Sequence, residues 1–172
     1  MSCTIESCVK DGLLEQVSVS VPSDEVFTIG DERTQQEGGQ CMTFGTCAGN
    51  SVCVVKGMEE RGESGWEVVG GFAFFCQTPE TSDNVPADSP PIPVEHGLRC
   101  HVWVKRDDTH FDPTWSRWND KRQDISPNRY FALTDRRMMR CIMRVDGGLQ
   151  EAERDILSYL EGLAEEWGLE GF

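Results

Sequence analysis

Between Leu14 and Pro22 valines alternate with polar residues, the period-two pattern of a strand with one buried face. Val26 to Ile29 reads as a second short strand, and the polar stretch Gly30 to Gly39 as a loop. The period changes at Cys47. Cys47, Ser51, Val54, Val55 and Met58 fall at helical spacing and predict one shared face. Glycines and charges over Gly57 to Gly65 are expected to stop that helix. Trp66 to Phe75 is apolar and rich in strand formers, and its paired Gly70 and Gly71 predict a bulge or a close backbone approach. Leu98 to Lys105 alternates again, with Leu98, Cys100, Val102 and Val104 on one face and Arg99, His101, Trp103 and Lys105 on the other. A polar turn at Arg106 to Asp108 leads into a returning strand from His110 to Trp115. Residues 116–128 are irregular and polar, Arg129 to Thr134 reads as a strand, and Asp135 to Arg144 as a short basic helix. The last element is the clearest: Leu149, Ala152, Ile156, Leu160, Ala164 and Trp167 repeat at helical intervals between Gly147–Gly148 and Gly168.

This mixture of strands and helices over 172 residues predicts a single α+β domain, spanning 1–172, in which an antiparallel sheet packs against a cysteine-bearing helix and a C-terminal helix. Residues 77–97 carry five of the eight prolines and are expected to form an extended surface loop within that domain, either a solvated insertion or a flap over a cleft.

Composition narrows the functional classes. A formal charge of −14 argues against a nucleic-acid partner, because phosphate binding draws on excess Lys and Arg. No stretch has the length of a membrane helix, and the N-terminal residues lack the basic start and apolar run of an export signal, so a cytoplasmic protein is expected unless it is exported by a non-classical route. In that setting the eight cysteines are expected as thiols, with a disulfide-stabilised secreted protein as the competing reading. There is no C-x-x-C, and His96, Cys100, His101 and His110 lack a second ligand cluster, so no metal site and no cofactor are expected.

Chemistry is suggested by the hairpin. With Arg106 and Asp107 at the centre of its turn, His101 and Asp112 face each other on one side of the two strands, whereas a one-residue slip would send them to opposite faces. A carboxylate beside an imidazole fixes its tautomer and stabilises the imidazolium. The missing partner is a nucleophile at a helix N-terminus, where the dipole and free N–H groups favour thiolate and can hold an oxyanion; Cys47 stands at such a start.

The run His101-Val-Trp103-Val-Lys followed by Phe111-Asp112-Pro-Thr-Trp115 resembles the His-x-Trp and Asp-Pro-Thr signature of papain-like and transglutaminase-like cysteine enzymes. Gly45-Thr-Cys47-Ala-Gly-Asn50-Ser51 is similar to the Gly-x-Cys-x-x-Asn-Ala/Ser block of small bacterial and phage members. Arg129 to Thr134 corresponds to the strand that follows. The likeness covers roughly residues 39–134. It implies a papain/transglutaminase-like core with a Cys47–His101–Asp112 triad. Gly39-Gln40-Cys41 also matches the start of the transglutaminase active-site helix, so Cys41 is the alternative nucleophile. Starting the helix there would put Gly45 and Gly49 inside it, at about 1 kcal/mol each relative to alanine. Gln40 is placed by the resemblance as an oxyanion donor, as glutamine is in papain-like enzymes.

The expected function is thus that of a cysteine-dependent acyl hydrolase or acyl transferase acting on a protein, peptide or small amide, with hydrolysis the default because water needs no second binding site. The alternative is a catalytically inactive binding or adaptor protein of the same fold. Around the triad, Asn50 is read either as orienting the site or as a local hydrogen-bonding residue, and Trp103 and Trp115 either as packing or as substrate platforms. Arg136, Arg137, Arg140 and Arg144 form a basic face that either pairs with nearby acids or meets an acidic partner. Cys53, Cys76, Cys100 and Cys141 are expected in the core. Oligomeric state is not encoded in any of these features.

Overall fold

The valine alternation after Leu14 is divided between two strands, β1 (Leu14–Val17) and β2 (Val19–Ser20), and this division shapes the whole sheet. The computed structural model describes residues 2–39, 42, 47–76, 97–114, 126–143 and 149–169. Besides β1 and β2 these contain α1 (Ile5–Lys10), α2 (Asp24–Gln36), α3 (Cys47–Glu60), β3 (Trp66–Cys76), β4 (Gly97–Arg106), β5 (Thr109–Phe111), β6 (Ser126–Leu133), α4 (Arg137–Met143) and α5 (Leu149–Trp167). The fold is α+β, a curled six-stranded sheet packed against helices. Its strand order is β1-β6-β3-β4-β5-β2. Neighbours are antiparallel except β2 and β5, which run parallel, so the expectation of an antiparallel sheet is corrected at that one pair. β1 and β2 are separated only by Ser18 yet stand at opposite ends of the order, so one short stretch supplies both edges and draws the sheet round on itself.

Curling gives the sheet two apolar faces. One packs on the helices through Val68, Phe72, Leu98, Val102, Val104, Phe131 and Leu133. The other holds Val69, Ala73, Phe75, Trp103, Tyr130 and Ala132. The expected alternation along β4 is therefore present, but both of its faces are buried rather than one. Ile156 and Leu160 of α5 are fully buried against the first face, each stabilising the fold by about 1.5–3 kcal/mol.

Three helices also differ from the sequence reading. Residues 24–36 form a helix where a strand and a loop were expected. Ser23 is extended at the N-cap position, Asp24 and Glu25 complement the dipole in the first turn, and Val26, Ile29 and Gly30 bury one face at helical spacing. The β-branched Val26 and Ile29 had suggested a strand; packing against α3 overrides that preference. Helix α3 ends at Glu60, inside the Gly57 to Gly65 run expected to stop it. A Cβ on Gly30 would strike Met42, and one on Gly57 would strike Ile29, so these glycines let α2 and α3 approach closely. Residues 48–55 are buried all round, which the single expected face of α3 did not anticipate. Finally, α1 had no signal in the hydrophobic pattern; its start is capped by Thr4, whose hydroxyl accepts the Ser7 amide at 3.2 Å.

In β3 the glycine pair marks a close approach, not the bulge. The register shift falls between Phe74 and Phe75, while a Cβ on Gly71 would run into the Phe131 carbonyl of β6. Residues 77–96 of the expected proline-rich loop, Trp115 and the segment 116–125 lie outside the described residues.

Candidate active site

His101 and Asp112 meet, but by a different register from the one expected. Val104 pairs with Phe111, Lys105 with His110 and Arg106 with Thr109, which puts Asp107 and Asp108 at the turn. Asp107 takes a left-handed conformation there (φ 52°), which Asp tolerates better than most residues. The register is shifted by two residues, not one, so the faces keep their parity. Strand β5 ends at Phe111, and Asp112 follows it, with its carboxylate reaching His101 obliquely rather than from directly across. His101 Nε2 lies 2.7 Å from Asp112 Oδ2, with both residues buried.

The strand order builds the rest of the site around this pair. On the inner face, β3 presents Gly71 beside His101 and Ala73 beside Tyr130 of β6. Because these two β3 residues are small, the rings of His101 and Tyr130 approach over them to 5.9 Å between centroids. Tyr130 then donates its hydroxyl to Asp112 Oδ2 at 2.7 Å, the oxygen that also faces His101. Burial raises the tyrosine pKa, and the adjacent carboxylate raises it further, so the phenol keeps its proton. Phe75 meets the imidazole edge-on at 5.7 Å, and Trp103 stacks on it at 6.1 Å. The other Asp112 oxygen accepts the Thr114 amide at 3.2 Å, and Thr114 Oγ1 accepts Asn50 Nδ2 of α3 at 2.8 Å.

Cys47 opens α3, half-buried, and its carbonyl accepts Ser51 Oγ at 2.7 Å. Its side chain lies near enough to the His101 imidazole to help hold the ring's proton. Burial alone would lower the His101 pKa; Asp112 first, and then Cys47, overcome this and hold it up at about 10. Thiol, imidazole and carboxylate therefore stand in series, and since Nε2 is engaged by Asp112, Nδ1 is the nitrogen left to exchange a proton with sulfur. Burial pushes Cys100 and Cys8 up to about 12 and raises Cys53 as well.

Sequence reasoning missed Glu153. Its Oε2 accepts the Gly49 amide at 2.5 Å, and the Ala48 amide adds to the same interaction. Burial raises its pKa, while these two amides and the nearby His101 pull it back down. The carboxylate from α5 thus covers first-turn N–H groups of α3, which removes the Ala48 and Gly49 amides from the oxyanion role expected of the helix start. A signal was present in the sequence: position 153 continues the apolar stripe between Leu149 and Ile156, so a carboxylate there faces the core.

The remaining expectations are distributed as follows. Trp103, read either as packing or as a substrate platform, is fully buried and donates Nε1 to His110 Nδ1 at 2.9 Å, so it packs in the core beside the imidazole. Burial, then Arg136 and Lys105, lower the His110 pKa and favour the neutral acceptor that this bond needs. Asn50, read as orienting the site or as hydrogen-bonding locally, is buried and ties α3 to the Asp112 segment through Thr114. Gln40 and the alternative nucleophile Cys41 lie outside the described residues. Cys53 is fully buried as expected and Cys100 partly so; the side chains of Cys76 and Cys141 are outside the described set. On the basic face, Arg136 pairs with Glu15 at 3.1 Å, Arg140 with Glu67 at 2.9 Å and Arg137 with Asp135 at 2.7 Å, so these guanidinium groups meet neighbouring acids. Among the described residues, no cluster of three or more His, Cys, Asp or Glu side chains is placed to hold a metal ion, and no helix is long and apolar enough to cross a membrane.

The chain matches no family model, no curated protein and no solved structure.

Proposed function

We propose that this protein is a cysteine-dependent acyl hydrolase or acyl transferase with a papain/transglutaminase-like core, in which Cys47 is the nucleophile, His101 the acid–base and Asp112 the residue that orients it. The observation that carries the reading is the 2.7 Å His101–Asp112 contact together with the interaction of Cys47 with the same imidazole. The reading is supported by groups from three distant stretches of chain, and the buried carboxylate behind the ring favours the imidazolium.

In the proposed cycle the Cys47 thiolate attacks the carbonyl carbon of an amide in a protein, a peptide or a small molecule. His101 gives its Nδ1 proton to the departing amine as the tetrahedral intermediate collapses to a thioester. Water, activated by the now neutral imidazole, then releases the acid; an amine in its place makes the reaction a transfer. Hydrolysis is the simpler outcome, since water requires no second site. Asp112 keeps the ring in register throughout, while Tyr130, Thr114 and Asn50 hold Asp112.

Timed alkylation with iodoacetamide near neutral pH, read by peptide mass spectrometry, tests the reading. Cys47 is expected to react about tenfold or more faster than Cys53 and Cys100, and His101→Ala to remove most of that advantage. Equal, slow labelling of Cys47 and the buried thiols would end the proposal and leave the binding-protein reading, under which Cys47→Ala should bind its partner as the wild type does.

A further inference from the structure

At the far end of the chain from the candidate site, two thiols have been brought together that the mechanism does not use. Cys3 Sγ and Cys8 Sγ lie 3.0 Å apart. A disulfide bond is about 2.05 Å long, so roughly 1 Å of side-chain adjustment separates the pair from a bond. The backbone on both sides is already fixed. Cys8 is fully buried on α1, whose start is capped by Thr4. Cys3 donates its amide to the Gly168 carbonyl at 2.8 Å and forms a bridge with Leu169, just beyond the end of α5. Closing the bond therefore orders little that is not ordered already, which is the condition under which a short disulfide loop retains its stabilising effect. The two sulfurs also differ in access: Cys3 is partly exposed and Cys8 buried.

We propose that Cys3 and Cys8 form a reversible redox pair, closed to an intramolecular disulfide by exchange with a small-molecule disulfide and reopened by thiols. In the first step the Cys3 thiolate attacks one sulfur of the small disulfide, forming a mixed disulfide and expelling one thiolate. In the second, Cys8 gives up its proton and attacks the Cys3 sulfur, forming the Cys3–Cys8 bond and expelling the other thiolate. Two protein thiols are oxidised, one small disulfide is reduced to two thiols, and the protons end on those thiols. The bond fastens the N-terminal strand segment to α1, and through the Cys3 pairing with Gly168 and Leu169 it steadies the end of α5. The pair is independent of the acyl-transfer reading, since that mechanism uses neither cysteine.

The test uses the full chain with oxidised glutathione, followed by blocking of free thiols with N-ethylmaleimide and digestion with trypsin. Both cysteines fall in the peptide Met1–Lys10, which isolates them from the other thiols. The expected product is this peptide lighter by two hydrogens, unblocked, and restored by dithiothreitol. In Cys8→Ser the glutathione adduct should persist on Cys3. The oxidised wild type should melt higher than the reduced form by about 4 °C, a difference that Cys3→Ser abolishes. The proposal is overturned if native protein keeps both thiols blockable under oxidation that cross-links the same chain in urea. It is overturned equally if Cys3 stops at the glutathione adduct in the wild type, or if the peptide closes at the same rate in urea as in native buffer, since the fold would then contribute nothing.

Discussion

Gly49 donates its backbone amide to the Glu153 carboxylate at 2.5 Å, across 104 positions of chain, and so joins the start of the cysteine helix to the C-terminal helix. A helix of this kind leaves its first N–H groups without internal partners, and here a distant side chain supplies the cap. Removing it leaves a buried donor unmet. Glu153→Ala is expected to cost about 1–3 kcal/mol in urea denaturation. Glu153→Gln, which keeps an acceptor, should recover a substantial part of that loss. Equal stability of the alanine variant and the wild type would show that solvent replaces the cap.

Tyr130 and His101 converge on a single oxygen of Asp112, each at 2.7 Å. Hydrogen bonds to charged groups contribute about 1.5–3 kcal/mol, so Tyr130→Phe is expected to lower stability by an amount in that range. If Asp112 orients His101, the same variant should also slow Cys47 alkylation. A stability loss without any change in Cys47 alkylation would confine Tyr130 to a packing role.

Gly71 is a position at which β3 leaves no room for a side chain beside β6. A side chain there meets the Phe131 carbonyl and also stands beside the His101 ring on the inner face. Gly71→Ala is expected to destabilise the protein by about 1–3 kcal/mol through overpacking. By contrast, Gly162, with open space beyond its Cα on α5, should gain from the same change by about 0.4–1 kcal/mol. Thermal denaturation of the two variants side by side checks both signs.

The raised His101 pKa carries a pH dependence whose direction is fixed. In the folded state the imidazole binds its proton more tightly than in the unfolded chain, where 6.5 is the ordinary value. Its contribution to stability is therefore complete below about pH 6.5 and is lost as pH rises toward and through about 10. The buried thiols with raised pKa values act in the same direction above about pH 9, so the comparison that isolates the histidine is with Asp112→Asn. That variant should flatten the stability profile between pH 6.5 and 10. A profile as steep as the wild type's would mean that Asp112 is not what holds the proton.

Much of this arrangement was legible in the order of residues. Alternation located β4, an apolar run rich in strand formers located β3, and helical spacing located α3 and α5, because local patterns of burial mark each of these segments. The motif residues His101 and Asp112 were paired correctly even though the turn was misplaced, since a two-residue shift preserves which face each side chain occupies. The N-terminal α1 and the helical nature of 24–36 were not legible, because the first is too short to show a period and the second depends on glycines fitting against a partner helix.

The sequence by itself determined the chemistry available: a thiol at a helix start, an imidazole and a carboxylate on neighbouring strands, and enough periodic apolar surface to bury them. Only the tertiary structure decided who stands next to whom. The placement of β6 beside β3, which brings Tyr130 to Asp112, and of α5 over α3, which brings Glu153 to Gly49, depends on sheet curling and helix packing. Those relationships are set by long-range burial between segments with no shared period, and no local pattern of residues encodes them.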